Sequence, residues 1–427
     1  MNLQPAPSPY RADPQIASLG AKIGDPVQAA IFPKAILRYR NDRWAGSVGL
    51  DELSDEAWVQ HFARFEPLPD NMPQPLALRY HGHQFRVYNP DIGDGRGFLF
   101  AQMRDGHGRL MDLGTKGSGQ TPYSRDGDGR LTLKGAVREI LATEMLEALG
   151  VETSKTFSVI ETGEALWRGD EPSPTRSAVL VRLSHSHIRI GAFQRLAYEG
   201  DAEMMERLVR YALEQLYGVT PDDNPPVQLM NLVVNRLAEL AASYMVAGFV
   251  HGVLNSDNIN VTGESFDYGP WRFTEYWEPG FTAAYFDHQG LYAFGRQAEA
   301  IHWDAAQLAI SLRLLTEAPP LVEALERFPA LYQAALIRRF LWRLGVPSQG
   351  EAADRAFVEA AERRMIDERI PVSAFFREQR PEIPDCTMLI DEVEAIWARI
   401  DEADDWEPLY AKIVAIRSFG DALRTTA

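Results

Sequence analysis

The spacing of apolar residues divides the chain into three stretches. The first ~75 residues are proline-rich and irregular, residues 80 to 190 carry short apolar runs among many glycines, and from about residue 200 the apolar positions recur at helical intervals. In the middle stretch, Gly97 to Met103 and Leu110 to Thr115 flank Asp-Gly-His-Gly. That predicts a hairpin, because glycine supplies the positive φ of a tight turn. Val159 and Ala178 to Leu183 are further strand candidates. Ahead of them Thr132 to Leu149 has helical spacing, and Gly150 just beyond it is the usual left-handed stop. Pro225 and Pro226 precede a largely apolar run, Val227 to Val246, long enough for a central buried helix, since proline fits a first helical turn but not its interior. Helices are expected over 303–316, 320–345, 351–367 and 387–426. The pattern predicts an α+β chain, a smaller mixed lobe followed by a larger helical one, joined near 190–200. Gly-Asp-Gly-Arg occurs at 93–96 and again at 127–130, a pair of similar loops rather than a repeat fold.

The 427 residues carry 43 Lys+Arg against 60 Asp+Glu, a formal charge of −17, and 45% are hydrophobic. This is globular composition with core material for two or three packed units. The acidic balance argues against duplex nucleic acid or an anionic membrane surface as partner, since both require clustered Lys and Arg; a local basic pocket stays open. The single cysteine, Cys386, excludes an internal disulfide and a CxxC metal site, in keeping with a reducing compartment. The opening MNLQPAPSPYRADPQ has no basic start before an apolar block, and Glu239 interrupts the longest apolar run, Leu237 to Val250. Neither a secretory leader nor a membrane span is expected, and the expected location is the cytoplasm.

Candidate chemistry begins at Gly93-Asp94-Gly95-Arg96, directly before a strand. Its glycines let backbone N–H groups approach an anion and Arg96 adds a planar fork for phosphate oxygens; a plain turn with a solvated arginine is the alternative. Lys116 ends the second hairpin strand, and Glu139 shares the helical stripe of Ala142, Leu146 and Leu149, so it should point inward and need a cationic partner. A strand lysine paired with a helix glutamate is how protein-kinase-like folds hold a nucleotide phosphate, although two solvated charges at an element edge would read the same way. The sharpest constellation is His251-Gly-Val-Leu-Asn-Ser-Asp257-Asn258, followed by Asp267-Tyr-Gly269. Set against the kinase signature H-R-D-L-x-x-x-N and D-F-G, the His, Leu, final Asn, Asp and Gly match. Asn258 and Asp267 are oxygen ligands of the type Mg²⁺ takes beside nucleotide phosphates. Val253 occupies the position of the kinase catalytic aspartate, and valine cannot accept a proton. A degenerate kinase fold that binds nucleotide without chemistry therefore stays open.

The longer motifs resemble the SelO (selenoprotein O, YdiU) family. They are Tyr80-His-Gly-His-Gln-Phe85, the first Gly-Asp-Gly-Arg, Lys116 through Arg130, Arg138-Glu139, Arg182 with Arg189, His251 through Asn258, and Phe266-Asp-Tyr-Gly-Pro270. They span residues 80 to 270, about half the chain. The resemblance implies a bilobal protein-kinase-like fold used to move AMP from ATP onto Ser, Thr or Tyr hydroxyls of proteins, with the nucleotide flipped. On that pattern, residues 1–195 are an N-terminal extension and nucleotide-binding lobe, and 196–427 a helical lobe carrying the catalytic and metal-binding loop. It implies nucleotide contacts from Gly93, Gly95, Arg96, Lys116, Asp128, Gly129, Arg182 and Arg189, with Glu139 orienting Lys116. Asp257 would be the base, and Asn258 and Asp267 would hold Mg²⁺ or Mn²⁺. His251 is expected to pack the loop that presents Asp257. The departures are Arg86 in place of Gly, Tyr88 in place of Trp, and Lys134-Gly135-Ala136 in place of Arg-Ser-Ser. The tail, Leu423-Arg-Thr-Thr-Ala427, lacks the redox pair of many relatives, so control by a C-terminal disulfide is not expected. His185 and His187 face one side of an extended segment with no third ligand near, and are expected to line the phosphate arginines rather than bind metal. Ordinary γ-phosphoryl transfer and an inactive nucleotide-binding pseudokinase are the rival readings, and whether UTP competes with ATP is left open.

Overall fold

The computed structural model describes residues 4–169 and 171–425. The N-terminal stretch expected to be irregular instead supplies β1 (Gly24–Pro26), β2 (Ile36–Arg40), α1 (Asp42–Ala45) and α2 (Asp55–Phe62). Ser54 caps α2, its hydroxyl accepting from the Ala57 amide at 3.3 Å. Trp44, Trp58 and Phe62 on these helices are fully buried. Elements this short pack against strands far along the chain, so no local period marks them.

Next come β3 (Leu76–Leu78), a small hairpin of β4 (Gly82–Gln84) and β5 (Val87–Asn89), and then β6 (Leu99–Arg104) and β7 (Leu110–Lys116). The last two form the hairpin predicted from the glycine turn, which Asp105 holds by accepting from the His107 and Arg109 amides at 2.9 and 2.8 Å. β8 (Leu131–Thr132) runs into α3 (Leu133–Ala148), capped by Thr132 Oγ1 at 3.1 Å from the Gly135 amide and ended by Gly150 at φ 75°. β9 (Lys155–Leu166) and β10 (Thr175–Ser184) are the long strands around Val159 and 178–183. One antiparallel sheet results, ordered β1-β3-β6-β7-β10-β9-β2, with β8 beside β10. One face packs Phe100, Phe157 and Val179 against Trp44, Trp58 and Phe62; the other packs against α3.

From Ile190 the chain is mainly helical: α4 (Ile190–Glu199), α5 (Ala202–Tyr211) and α6 (Pro225–Ala247), which starts on its proline pair and stops at Gly248, φ 69°. β11 (Phe249–Val250) and β12 (Arg272–Phe273) pair and bracket the loop that carries residues 251–269. α7 (Gln297–Leu312) follows. The single helix expected over 320–345 is two, α8 (Ala318–Glu326) and α9 (Phe328–Leu344), because Pro329 is tolerated only in a first turn. α10 (Glu351–Asp367) and α11 (Val372–Glu378) come next. The stretch 387–426 also divides, at Asp404 with φ 50°, into α12 (Ile390–Ala403) and α13 (Glu407–Thr425). A sheet-based N-terminal part and a helical C-terminal part make the fold α+β. No helix among the described residues is long and apolar enough to cross a membrane.

Although the most C-terminal of the described helices, α13 lies back against α3. Gly420 permits the close approach, since a Cβ there would sit 2.8 Å from the Ala148 Cα. Arg417 donates to the buried Glu144 carboxylate at 2.9 and 2.7 Å, and the Tyr39 hydroxyl donates to it at 2.6 Å. Arg417→Met leaves that carboxylate without its cation and should lower stability by about 3 kcal/mol in urea unfolding. Adding Glu144→Gln should recover part of the loss; no recovery would show that Arg417 acts through packing instead. A second buried acid, Glu264, accepts from the His185 amide at 2.9 Å. Burial, outweighing the pull of Lys155, pushes its carboxyl from 4.5 up to about 8. The folded protein therefore keeps a proton that the unfolded chain has released, and stability falls as pH rises from about 5 to about 8. Glu264→Gln should flatten that slope in melting temperature across the same range, and a parallel slope in the variant would place the titration elsewhere.

Candidate functional site

The register of β7 against β10 sets Lys116 opposite Leu180 and Arg182 opposite Gly114. Lys116, at the end of β7, points its ammonium at α3, 2.8 Å from Glu139 Oε2, and also lies 3.0 Å from Asp267 Oδ1. The Lys116 and Glu139 side chains are 5% and 1% exposed, so neither charge could be held there alone. Arg182 Nη1 lies 3.5 Å from both Glu139 Oε1 and Asp267 Oδ1. Arg189, directly before α4, places Nη2 3.2 Å from Asp94 Oδ1 and donates through Nη1 to the Asp257 carbonyl at 3.4 Å. Its guanidinium stacks over the Tyr80 and Phe266 rings, 4.3 and 5.0 Å from their centroids, and Arg182 sits 5.3 Å over Phe266. Burial alone would lower the Arg189 pKa, but Tyr80 and the carboxylates of Asp94, Asp267 and Asp257 raise it. Asp94, Tyr80 and Phe266 are supports that the sequence reading did not single out. Each sits inside a quoted motif, yet nothing local says which cation it faces.

A cleft of about 730 Å³ is lined by Gly93, Gly95, Arg96, Lys116, Asp128, Gly129, Arg182, Arg189, Asp257 and Asp267, along with Tyr123, Trp167 and Arg168. Glu139 stands behind Lys116. Asn258 is outside this lining, its Nδ2 donating to the Val253 carbonyl at 3.1 Å, which leaves the amide oxygen uncommitted. Glycine at 93 is a steric requirement, since a Cβ there would meet the Tyr123 ring at 2.5 Å. The two Gly-Asp-Gly-Arg loops meet through residues 121–124, where the Ser124 hydroxyl donates to the Gly95 carbonyl and that of Thr121 to the Asp94 carbonyl. Asp128 accepts both arms of Arg168, at 2.8 and 3.1 Å.

Asp257 is buried at the floor, where its Oδ1 has no protein partner. Burial, opposed by Arg189, pushes its carboxyl up to about 6. The β4–β5 hairpin lies directly on it: a Cβ at Gly82 would be 2.9 Å from Asp257 Cβ. The His83 amide donates to Ser256 Oγ at 2.7 Å, the Phe85 amide to Asn255 Oδ1 at 2.9 Å, and Ser256 Oγ to Gln194 Oε1 at 2.6 Å. Phe85 and Arg86 both adopt positive φ, 50° and 62°, at the tip. Arg86 is tied down by Glu299 at 3.0 Å. Burial would raise the Asp267 pKa, but Lys116, Arg182, Arg189 and Arg96 hold it well below the usual carboxylate range. An ionised Asp267, the free Asn258 amide oxygen and the orphaned Asp257 oxygen form a donor set that fits a hard divalent cation. Among the described residues no group of three or more His, Cys, Asp or Glu side chains could hold an ion by itself. His251 is buried, its Nε2 3.0 Å from the Phe266 carbonyl, and burial lowers its pKa. His187 faces Asp112 at 3.2 Å and covers Gly114, while both ring nitrogens of His185 meet carbonyls, of Leu110 at 3.0 Å and Leu216 at 2.9 Å. Neither histidine points at the other's partners, so the pair has no shared ligand position.

Comparison with known proteins adds the lineage. The sequence profile described as "Protein adenylyltransferase SelO" matches residues 9–416. A "Protein nucleotidyltransferase YdiU" of Synechocystis sp. is 48% identical over 343 residues, 79% of this chain and 71% of that protein. Its namesake in Gloeobacter violaceus is 40% identical over 462 residues, 95% of this chain and 94% of that protein. A solved rhoptry antigen kinase domain of Toxoplasma gondii aligns with 70% of this chain and 85% of its own at 11% identity, with a TM-score of 0.28, too low to argue from. With the profile covering nearly the whole length and relatives at this identity, the chain belongs to the SelO family.

Proposed function

We propose that this chain is a protein adenylyltransferase that moves AMP from ATP onto Ser, Thr or Tyr hydroxyls of protein substrates, in the cytoplasm. The observation that carries the reading is the set of three buried cations, Lys116, Arg182 and Arg189, gathered in one cleft with Asp257, a carboxylate with one unpartnered oxygen, while valine stands at 253. Residues 1–195 serve as the nucleotide-binding part and 196–427 as the helical part that brings the catalytic loop.

In this reading the acceptor oxygen attacks the α-phosphorus, the bond to the bridging oxygen breaks, pyrophosphate leaves, and the hydroxyl proton passes to Asp257. Negative charge grows on the β- and γ-phosphates, and Lys116, Arg182, Arg189 and Arg96 are placed to meet it. Unpartnered N–H groups on Arg182 and Arg189 would find phosphate oxygens as acceptors. Glu139 keeps the Lys116 ammonium aimed into the cleft. Mg²⁺ or Mn²⁺, held by Asn258 and Asp267, would neutralise phosphate charge. Gly93, Gly95, Asp128 and Gly129 line the cleft where the loops approach the nucleotide.

ATP labelled at the α- or the γ-phosphate tests the reading directly: α-label should stay on protein, and γ-label alone would make the chain a kinase instead. Lys116→Ala should lower AMP transfer by roughly 100-fold or more; parental rates would dismiss the Lys116–Glu139 pairing as a catalytic device. Asp257→Asn should lower the rate by about 10²–10⁴-fold while nucleotide affinity stays near parental. A matching fall in affinity would mean that Asp257 serves the ligand's charge rather than the proton.

A further inference from the structure

The cleft has cations for a triphosphate, but its aromatic faces are mostly committed. Tyr80 is buried beneath Arg189, and Tyr123 packs its ring on Gly93 while its hydroxyl donates to Asp25. Trp167 is different. It lines the same cleft, the residue is 74% exposed, and it takes no part in the ring or cation contacts of the described residues.

Its place is fixed by the sheet. β9 ends at Leu166, paired with Thr175 of β10, and Lys116 pairs with Leu180 on that same strand. Five positions at about 3.4 Å each put roughly 17 Å between the Trp167 end and the Lys116 end of the cleft. That is the span of an extended nucleoside triphosphate. The backbone at Trp167 is also anchored: the next residue, Arg168, grips Asp128 with both arms and donates its amide to Ser173 Oγ at 2.8 Å. The backbone that carries the indole is thus fixed at the cleft while the ring stays largely open.

We propose that Trp167 is the stacking platform for the nucleobase, with the phosphates running inward to Lys116, Arg182 and Arg189. The inference rests on the proposed function and assigns the base subsite within it. A stacking face discriminates by ring area rather than by hydrogen bonds, so the site should favour purine over pyrimidine nucleotides without excluding the latter.

Calorimetric titration of the full chain with ATP, with UTP and with inorganic tripolyphosphate, each with excess Mg²⁺, separates base from phosphates. Trp167→Ala should weaken ATP binding roughly tenfold or more, weaken UTP less, and leave tripolyphosphate affinity unchanged; Trp167→Phe should keep most of the ATP affinity. Unchanged ATP affinity in Trp167→Ala would place the base elsewhere, and equal losses for ATP and tripolyphosphate would mark a structural defect; either result overturns the platform. A parental protein that binds tripolyphosphate but gains nothing from the base also overturns it while leaving the phosphate site standing. Binding of none of the three ligands would bring down the proposed function and the platform together.

Discussion

Lys116 is held between two carboxylates, Glu139 and Asp267, where water scarcely reaches. A buried ammonium is tolerable only with such partners, and each carboxylate is tolerable only with its cation. Much of the architecture follows. β7 must end beside Leu180 so that its last residue faces inward, α3 must turn Glu139 toward the sheet, and the loop after β11 must deliver Asp267, which it does in a left-handed conformation, φ 64°, that aspartate accepts better than bulkier residues. A shift of one residue in the β7–β10 register would send Lys116 to the other face of the sheet and leave both acids unpaired.

The same logic orders the second ring of charge. Arg182 and Arg189 are buried on the faces of Phe266 and Tyr80, which accept a guanidinium plane without using its N–H groups. Arg182 Nε and Nη1 and Arg189 Nε are thereby left without a protein acceptor, a lack that an anion in the cleft would meet. The β4–β5 hairpin clamps residues 255 and 256 through backbone amides, so the segment before Asp257 is positioned by neutral backbone donors.

How much of this can be read from sequence depends on whether the signal is local. α3, its threonine cap, its glycine stop and the inward Glu139 all lie within one stretch, and the β6–β7 turn is written in glycines. The pairing of Lys116 with Glu139 follows because a charged residue in an apolar stripe must have a partner. The N-terminal elements escaped because β2 is completed by β9, far along the chain, and half its side chains are polar. Asp94 and Phe266 were visible as motif letters, but their roles as counter-ion and ring face exist only once Arg189 and Arg182 arrive from β10 and beyond. The division of 320–345 turned on Pro329, whose effect the apolar period masked.

The return of α13 to α3 bears on how the protein is made. Every residue that lines the cleft lies at or before Asp267, yet the helix that carries Glu139 is braced by residues 407–425, far downstream in the chain. Until those residues have been made, α3 lacks that brace, and Glu139 and Lys116 meet without it. A nascent chain therefore carries all the groups of the cleft before it carries the brace behind α3.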